Sequence, residues 1–203
     1  MIDLCMTKGR PDIRGVEADA YQQGGYFTAD QARHHGVSRQ LLNHHIQQGR
    51  FERVRRGLYR IRGFPIAQHD DIREKWMAVG MDKAVASHES ALALLNLSDT
   101  IPDRVHLLVP RRHRGLRRPP GVVVHTRPDG EKVATVWREG MLLTAPARTL
   151  VDVADSLQPE QAAMAIEQAL SRGLLTTRQL LREAERRGKK RSIEALLPDT
   201  AAR

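Results

Sequence analysis

The stretch Gly25–Phe64, GYFTADQARHHGVSRQLLNHHIQQGRFERVRRGLYRIRGF, limits the fold more than any other part of the chain. Thr28 and Gln31 stand in the T-x-x-Q relation of a capping box, where the threonine oxygen accepts from an orphan helix amide and the glutamine reaches back. A first helix is therefore predicted from Ala29 to about His35. Gly36 supplies the positive-φ turn that bulkier residues resist. Ala32, four residues earlier, lets two helices approach, and Val37 fills the gap between them. Ser38 is a second N-cap candidate, opening a helix from Arg39 to about Gln48 that Gly49 closes.

Within the second helix, Leu42 and Ile46 are spaced i, i+4 and should face a core, with Leu41 beside them. Arg39, Gln40, Asn43, His44 and Gln47 are left for the exposed face. Asn and Gln can make bidentate contacts to adenine, and Arg to guanine. Any exposed helix face is polar, so the pattern gains meaning only from the segment next to it. Phe51–Arg55 and Leu58–Arg62 read as two strands joined through Arg56-Gly57. Tyr59 and Ile61 alternate with Arg60 and Arg62, which predicts one apolar and one cationic face. Arg53, Arg55 and Arg56 add charge. Edge strands use charge against aggregation, but lysine and glutamate would serve there, whereas the guanidinium fork matches phosphate oxygens. Two helices around a tight turn followed by a basic hairpin are the pattern of a winged helix-turn-helix, which offers a helix to the major groove and a hairpin to the backbone. The expected DNA-facing set is Thr28, Ser38, Arg39, Gln40, Asn43, His44, Gln47, Arg53, Arg55, Arg56 and Arg60.

The net charge of +9 raises attraction to polyanions. The charge is clustered. Arg111, Arg112, Arg114, Arg117 and Arg118 fall in a run without an acidic residue, expected to meet flanking DNA or an acidic partner surface. A further run, Arg186-Arg187 with Lys189-Lys190-Arg191, reads as a solvated surface. With 203 residues the chain can hold two small domains. Its one cysteine, Cys5, excludes an intrachain disulfide or cysteine-based zinc site. No apolar run suits a bilayer and the start lacks a signal core, so a cytoplasmic protein without membrane contact is expected.

Residues 1–15 read as a disordered tail, 16–66 as the winged unit with a short helix over Val16–Gln23, and 67–203 as an α/β partner or regulatory domain with trailing helices. The class is α+β. In the second part, Asp70–Met81 carries helical spacing, and Ser87 caps a buried helix through Leu95. Strands are expected at Val105–Val109, Val122–Thr126 and around Glu131–Trp137. Pro146 opens a helix whose stripe is Leu150, Val153, Ala154 and Leu157. Pro159 begins another, ending near Gly173. Thr176 and Gln179 repeat the capping box before a helix ending at Gly188, and Ser192–Leu197 reads as a last turn.

The winged segment, then SHESALALLNL, VHLLVPRR and TAPARTLVDVAD, resembles the AbiEi-like antitoxins of type IV toxin–antitoxin systems over roughly Gly25–Leu170. The winged segment and TAPARTLVDVAD are the more specific parts. The resemblance implies an N-terminal winged helix that represses its operon and a C-terminal domain that counteracts a nucleotidyltransferase-like toxin. Some relatives add a C-terminal nuclease-like domain, which this chain is expected to lack.

Enzyme motifs are missing. A restriction-endonuclease-like core needs a carboxylate and an Asp/Glu-x-Lys on adjacent strands to bind metal, and no Asp-x-Lys or Glu-x-Lys occurs. No Gly-Lys-Ser or Gly-Lys-Thr marks a P-loop, and no Gly-Ser with Asp-x-Asp marks a nucleotidyltransferase. Adjacent histidines such as His34-His35 and His44-His45 diverge on a helix, so no metal site is assigned. His35 and His45 read as packing residues, and His88 beside Glu89 as a helix-start residue. Arg148 and Asp152, at i, i+4, read as a helix-surface pair or a core-orienting one. The expected protein is a non-enzymatic DNA-binding repressor without a cofactor, partnered by operator DNA and a toxin, its oligomeric state open. A stand-alone regulator is the alternative, and a restriction-endonuclease-like nuclease the more distant one.

Overall fold

The structure is a computed structural model, and it describes residues 10–97 and 102–197. The chain divides into two compact units, Met1–Asp70 and Asp71–Arg203.

The first unit runs α1 (Ile13–Gln22), β1 (Tyr26–Thr28), α2 (Ala29–His34), α3 (Arg39–Gln47), β2 (Phe51–Arg55) and β3 (Leu58–Ile61). Its sheet is antiparallel in the order β1-β3-β2. The capping box forms as its spacing demands: the Gln31 amide donates to Thr28 Oγ1 at 3.2 Å and the Thr28 amide donates to Gln31 Oε1 at 2.9 Å. Gly36 turns at φ 72° between α2 and α3, and Gly57 at φ 80° between β2 and β3, both left-handed values that a Cβ penalises. Val16 and Ala20 of α1, Ala32, Val37 and Leu42 of the two-helix unit, and Phe27, Phe51 and Tyr59 of the sheet close one core. Each large apolar side chain buried there contributes about 1.5–3 kcal/mol. Phe27 meets Phe51 edge-on at 4.8 Å between ring centres.

Two expectations change in this unit. α1 starts at Ile13, inside the stretch read as tail, because the Asp12 side chain accepts from the Gly15 amide at 2.9 Å and nucleates the first turn. Residues 1–9 of that tail, with Cys5, lie outside the described residues. β1 is an unforeseen third strand, short enough to carry no alternation of its own, and it makes β3 the central strand.

The second unit follows α4 (Asp70–Val79, whose first residue still belongs to the first unit), β4 (Val85–Ala86), α5 (His88–Leu94), β5 (Val105–Pro110), a 3-10 turn at Arg111–His113, β6 (Val122–Arg127), β7 (Thr135–Arg138), β8 (Met141–Thr144), α6 (Pro146–Val153), α7 (Pro159–Ser171), α8 (Thr177–Arg186) and α9 (Lys190–Glu194). Its five-stranded sheet has the order β6-β5-β4-β8-β7. β5 and β6 run parallel, so the arginine-rich segment between them is a crossover rather than a hairpin loop. The strand expected around Glu131–Trp137 is Thr135–Arg138, paired with the unforeseen β8, and the final expected turn is the helix Lys190–Glu194. The second capping box forms as the first does, with the Gln179 amide donating to Thr176 Oγ1 at 3.3 Å.

Arg148 and Asp152 do not form a surface pair. Arg148 Nε donates to Asp152 Oδ2 at 2.7 Å with both side chains buried. Arg148 also reaches Glu131 at 3.0 Å, and Arg187, from the run expected to be a solvated surface, lies 3.3 Å from Asp152. The half-buried Glu131 and the exposed Arg187 thus complete the buried Arg148–Asp152 pair from its rim, as buried charge requires.

Candidate nucleic-acid interface

α3 presents the polar face its sequence implies. Leu42 is buried, with Leu41 and Ile46 packed beside it on the core, and this fixes the rotation of the helix. Arg39, Gln40, Asn43, His44 and Gln47 are all exposed. Arg39, Asn43 and Gln47 recur at i, i+4, i+8 and so form one stripe along the helix, with Gln40 and His44 beside it. Ser38 starts α3, its hydroxyl accepting from the Leu41 amide at 3.2 Å. The helix-start amides, where phosphate oxygens dock well, therefore already have one partner.

The hairpin divides its arginines. Arg53 and Arg56 are exposed, Arg56 standing in the turn itself, while Arg55 is half-buried. A bulge between Arg53 and Arg55 sets two residues of β2 against one of β3, which sharpens the local twist. Arg60 does not belong to the DNA-facing set. It is buried, donates to the Pro65 carbonyl and to Asp70 at 2.9 Å each, and lies 4.8 Å above the Tyr26 ring. The alternation that points it to a cationic face assumes that this face is open, but the Pro65 carbonyl and the Asp70 carboxylate meet the guanidinium there, and the ring of Tyr26, its register partner on β1, lies beneath it. Thr28 is half-buried and spends its hydroxyl on the cap, so its place is structural.

His35 and His45 pack as expected: His35 sits 2.9 Å from Asp19, and His45 lies edge-on to Phe51 at 5.8 Å. Burial, then the neighbouring Arg50 cation, holds His45 below its ordinary range. Arg50 itself is held by Glu17 through two bonds of 2.7 and 2.8 Å.

In the second unit, Arg111, Arg112, Arg114, Arg117 and Arg118 are all exposed. Arg111, Arg112, Arg114, Gly115 and Asp129 line an open concavity of about 450 Å³. The run is not free of acidic relief: Asp129 accepts from the Arg112 amide at 3.2 Å and approaches its guanidinium at 3.5 Å. One arginine is thereby anchored from a segment seventeen residues away in sequence.

Sequence reasoning missed one cluster. His88, His106 and His125, unremarkable one by one, come together with Glu89. The signal was invisible because it depends on the parallel register that sets Leu108 against His125. Ser87 stands at the N-cap of α5 but makes no side-chain cap bond; its hydroxyl lies 3.1 Å from His88 Nδ1. Among the described residues, no three His, Cys, Asp or Glu side chains are disposed to hold a metal ion, and no helix is long and apolar enough to cross a membrane.

A capped helix-turn-helix with a basic hairpin, continued by a mixed α/β unit, defines a winged-helix regulator with an accessory domain. Residues 20–62 match the family described as transcriptional regulator, AbiEi antitoxin, and residues 84–197 match the AbiEi antitoxin C-terminal domain. The chain belongs to the AbiEi antitoxin family, whose domains are regulatory, and its role is that of a DNA-binding antitoxin. No curated protein matches it. Among solved structures, the RV2827C protein from Mycobacterium tuberculosis is similar at 16% identity and a TM-score of 0.49, over 84% of this chain and 69% of that one.

Proposed function

We propose that the protein binds an operator upstream of its own operon through α3 and the β2–β3 turn, represses transcription there, and counteracts a nucleotidyltransferase-like toxin encoded alongside it. The observation that carries the DNA reading is the Arg39–Asn43–Gln47 stripe, exposed along a helix whose opposite face is locked into the core. Base edges in the major groove are read by such side chains. The exposed Arg53 and Arg56 suit phosphate oxygens and would position the unit without reading sequence. Arg111, Arg112, Arg114, Arg117 and Arg118 form a second cationic surface, assigned to flanking DNA phosphates.

The antitoxin role draws support from the match of residues 84–197 to the antitoxin C-terminal domain. In this reading the chain acts by binding and not by catalysis, in keeping with the regulatory character of both matched families.

Footprinting on the DNA upstream of its own reading frame tests the first half, and growth rescue on co-expression with the adjacent frame tests the second. A protected operator with rescue is the expected outcome. Protection without rescue would leave a stand-alone regulator. Metal-dependent nicking of plasmid DNA would reverse the non-catalytic reading.

A further inference from the structure

Three imidazoles and a carboxylate meet where α5 packs on β5. The His88 and His125 rings stack with centres 3.5 Å apart and planes 13° from parallel. His106 Nδ1 lies 3.0 Å from His125 Nε2 and 2.9 Å from Glu89 Oε2. Ser156, just past α6, donates its hydroxyl to Glu89 Oε1 at 2.9 Å. The cluster therefore joins α5, β5, β6 and the end of α6.

The arrangement has room for one hydrogen at its centre. Glu89 is held ionised, its carboxyl pushed down to about 2 chiefly by the hydrogen bond from His106. With the hydrogen on His106 Nδ1, the N–H lies beside the Glu89 carboxylate and meets a lone pair on His125 Nε2. A proton added to His125 Nε2 would set two donors head to head at 3.0 Å. A proton added to His88 would put a cation against the stacked ring of His125. Burial, followed by the charge of a protonated His125, pushes His88 down to about 3, and burial with His106 lowers His125. The other charged groups facing the cluster come from α5 and α6: Glu89 and Asp152 favour imidazolium, and Arg148 opposes it. His88 also holds a left-handed φ of 49°, a strain that opening relieves.

We propose that this cluster is an acid-sensitive latch: proton uptake by His125 or His88 breaks the stack and frees α5 from the β5–β6 pair, whose connection carries the exposed arginines. At neutral pH the latch holds that connection in shape. In mild acid the second unit opens locally while the first unit stays closed. The inference stands apart from the DNA and antitoxin readings, since it concerns only the second unit's own packing.

Hydrogen exchange on the full chain at pH about 7.5 and about 5.5, corrected for intrinsic rates, tests it. The lower value titrates free imidazoles but leaves ordinary carboxylates ionised, so Glu89 does not contribute. Protection of His88–Leu94 and of β5 and β6 should fall about tenfold for each histidine released, while β1–β3 should be unchanged. The His88→Asn and His125→Phe variants should each lose their own share of this acid response, and the double variant all of it; asparagine tolerates the left-handed backbone and phenylalanine keeps a stacked ring without a charge. Unchanged protection in the wild type, or the full wild-type loss retained in the double variant, would overturn the latch. If a variant fails to fold, imidazole titration of the wild type by NMR decides. His88 and His125 should take up protons only as α5 opens, and ordinary titration with α5 still protected would reject the proposal.

Discussion

Arg60 Nη2 donates to Asp70 Oδ2 at 2.9 Å with both side chains buried, so an arginine that the strand pattern offers to solvent is instead part of the interior of the first unit. The guanidinium also caps the Pro65 carbonyl and covers the Tyr26 ring. Its charge is neutralised where phosphate cannot reach it.

Removing one partner should therefore cost stability. Arg60→Ala should destabilise the first unit by about 3–5 kcal/mol, because it strands a buried carboxylate. Replacing both Arg60 and Asp70 by leucine should cost clearly less than the two single changes together. Urea denaturation read by far-ultraviolet circular dichroism checks the cycle. A stable Arg60→Ala protein with weakened DNA binding would return this residue to the interface.

The α3 stripe and the hairpin turn should separate by their physics. Asn43→Ala and Gln47→Ala should each cost about 1–3 kcal/mol on the operator and little on random duplex. Both sites are exposed and alanine favours helix, so folding should be preserved. Arg56→Ala should weaken operator and random DNA alike and reduce the salt slope by about one. Gel shifts on operator and scrambled duplexes across a salt series decide the matter. Equal losses on both duplexes for the α3 changes would mean that α3 does not read sequence.

Sequence position alone offers Thr28 to DNA, but the fold spends its hydroxyl on the α2 cap. Thr28→Ala should cost about 1 kcal/mol of stability. Operator affinity measured well below the melting transition should hardly change. A large affinity loss without a stability loss would make Thr28 a contact after all.

Replacing Arg111, Arg112, Arg114, Arg117 and Arg118 with serine should leave the second unit folded, since all five are exposed. DNA affinity should fall and its salt dependence should flatten, because counterion release scales with phosphates neutralised. Unaltered binding across the salt series would make the loop a merely solvated surface.

Acid should destabilise the second unit in a defined direction. His88 is held down to about 3 in the folded chain and returns to 6.5 on unfolding, so the unfolded state takes up its proton first. That contribution is complete above 6.5 and is lost as pH falls toward 3. Glu89, held at about 2 against 4.5, adds a loss between those values in the same direction. The tryptophans, Trp76 and Trp137, both lie in the second unit, so their fluorescence in urea reports it alone. The midpoint should drop steadily as pH falls, and Glu89→Gln should flatten the lower arm. A midpoint constant between pH about 7 and about 4 would contradict the shifts.

What the sequence determined by itself is what a few neighbouring residues can settle. Thr28 with Gln31, Thr176 with Gln179, Gly36 between two helices and Gly57 in a hairpin turn all act across three or four positions, and each lies where its chemistry demands. The apolar spacing of Leu42 and Ile46 likewise orients α3, because helical geometry alone decides which residues share a face. Tertiary structure decided the rest. Alternation put Arg60 outside, but alternation assumes a strand with one open face, and Pro65 and Asp70, from the segment after the hairpin, close that face together with the Tyr26 ring. Arg148 and Asp152 looked like any i, i+4 pair until Glu131 and Arg187 enclosed them. The histidine cluster depended on a parallel register that no local pattern encodes. Local bonds are legible because the chain itself brings their partners together; distant charges and rings acquire meaning only when packing chooses their neighbours.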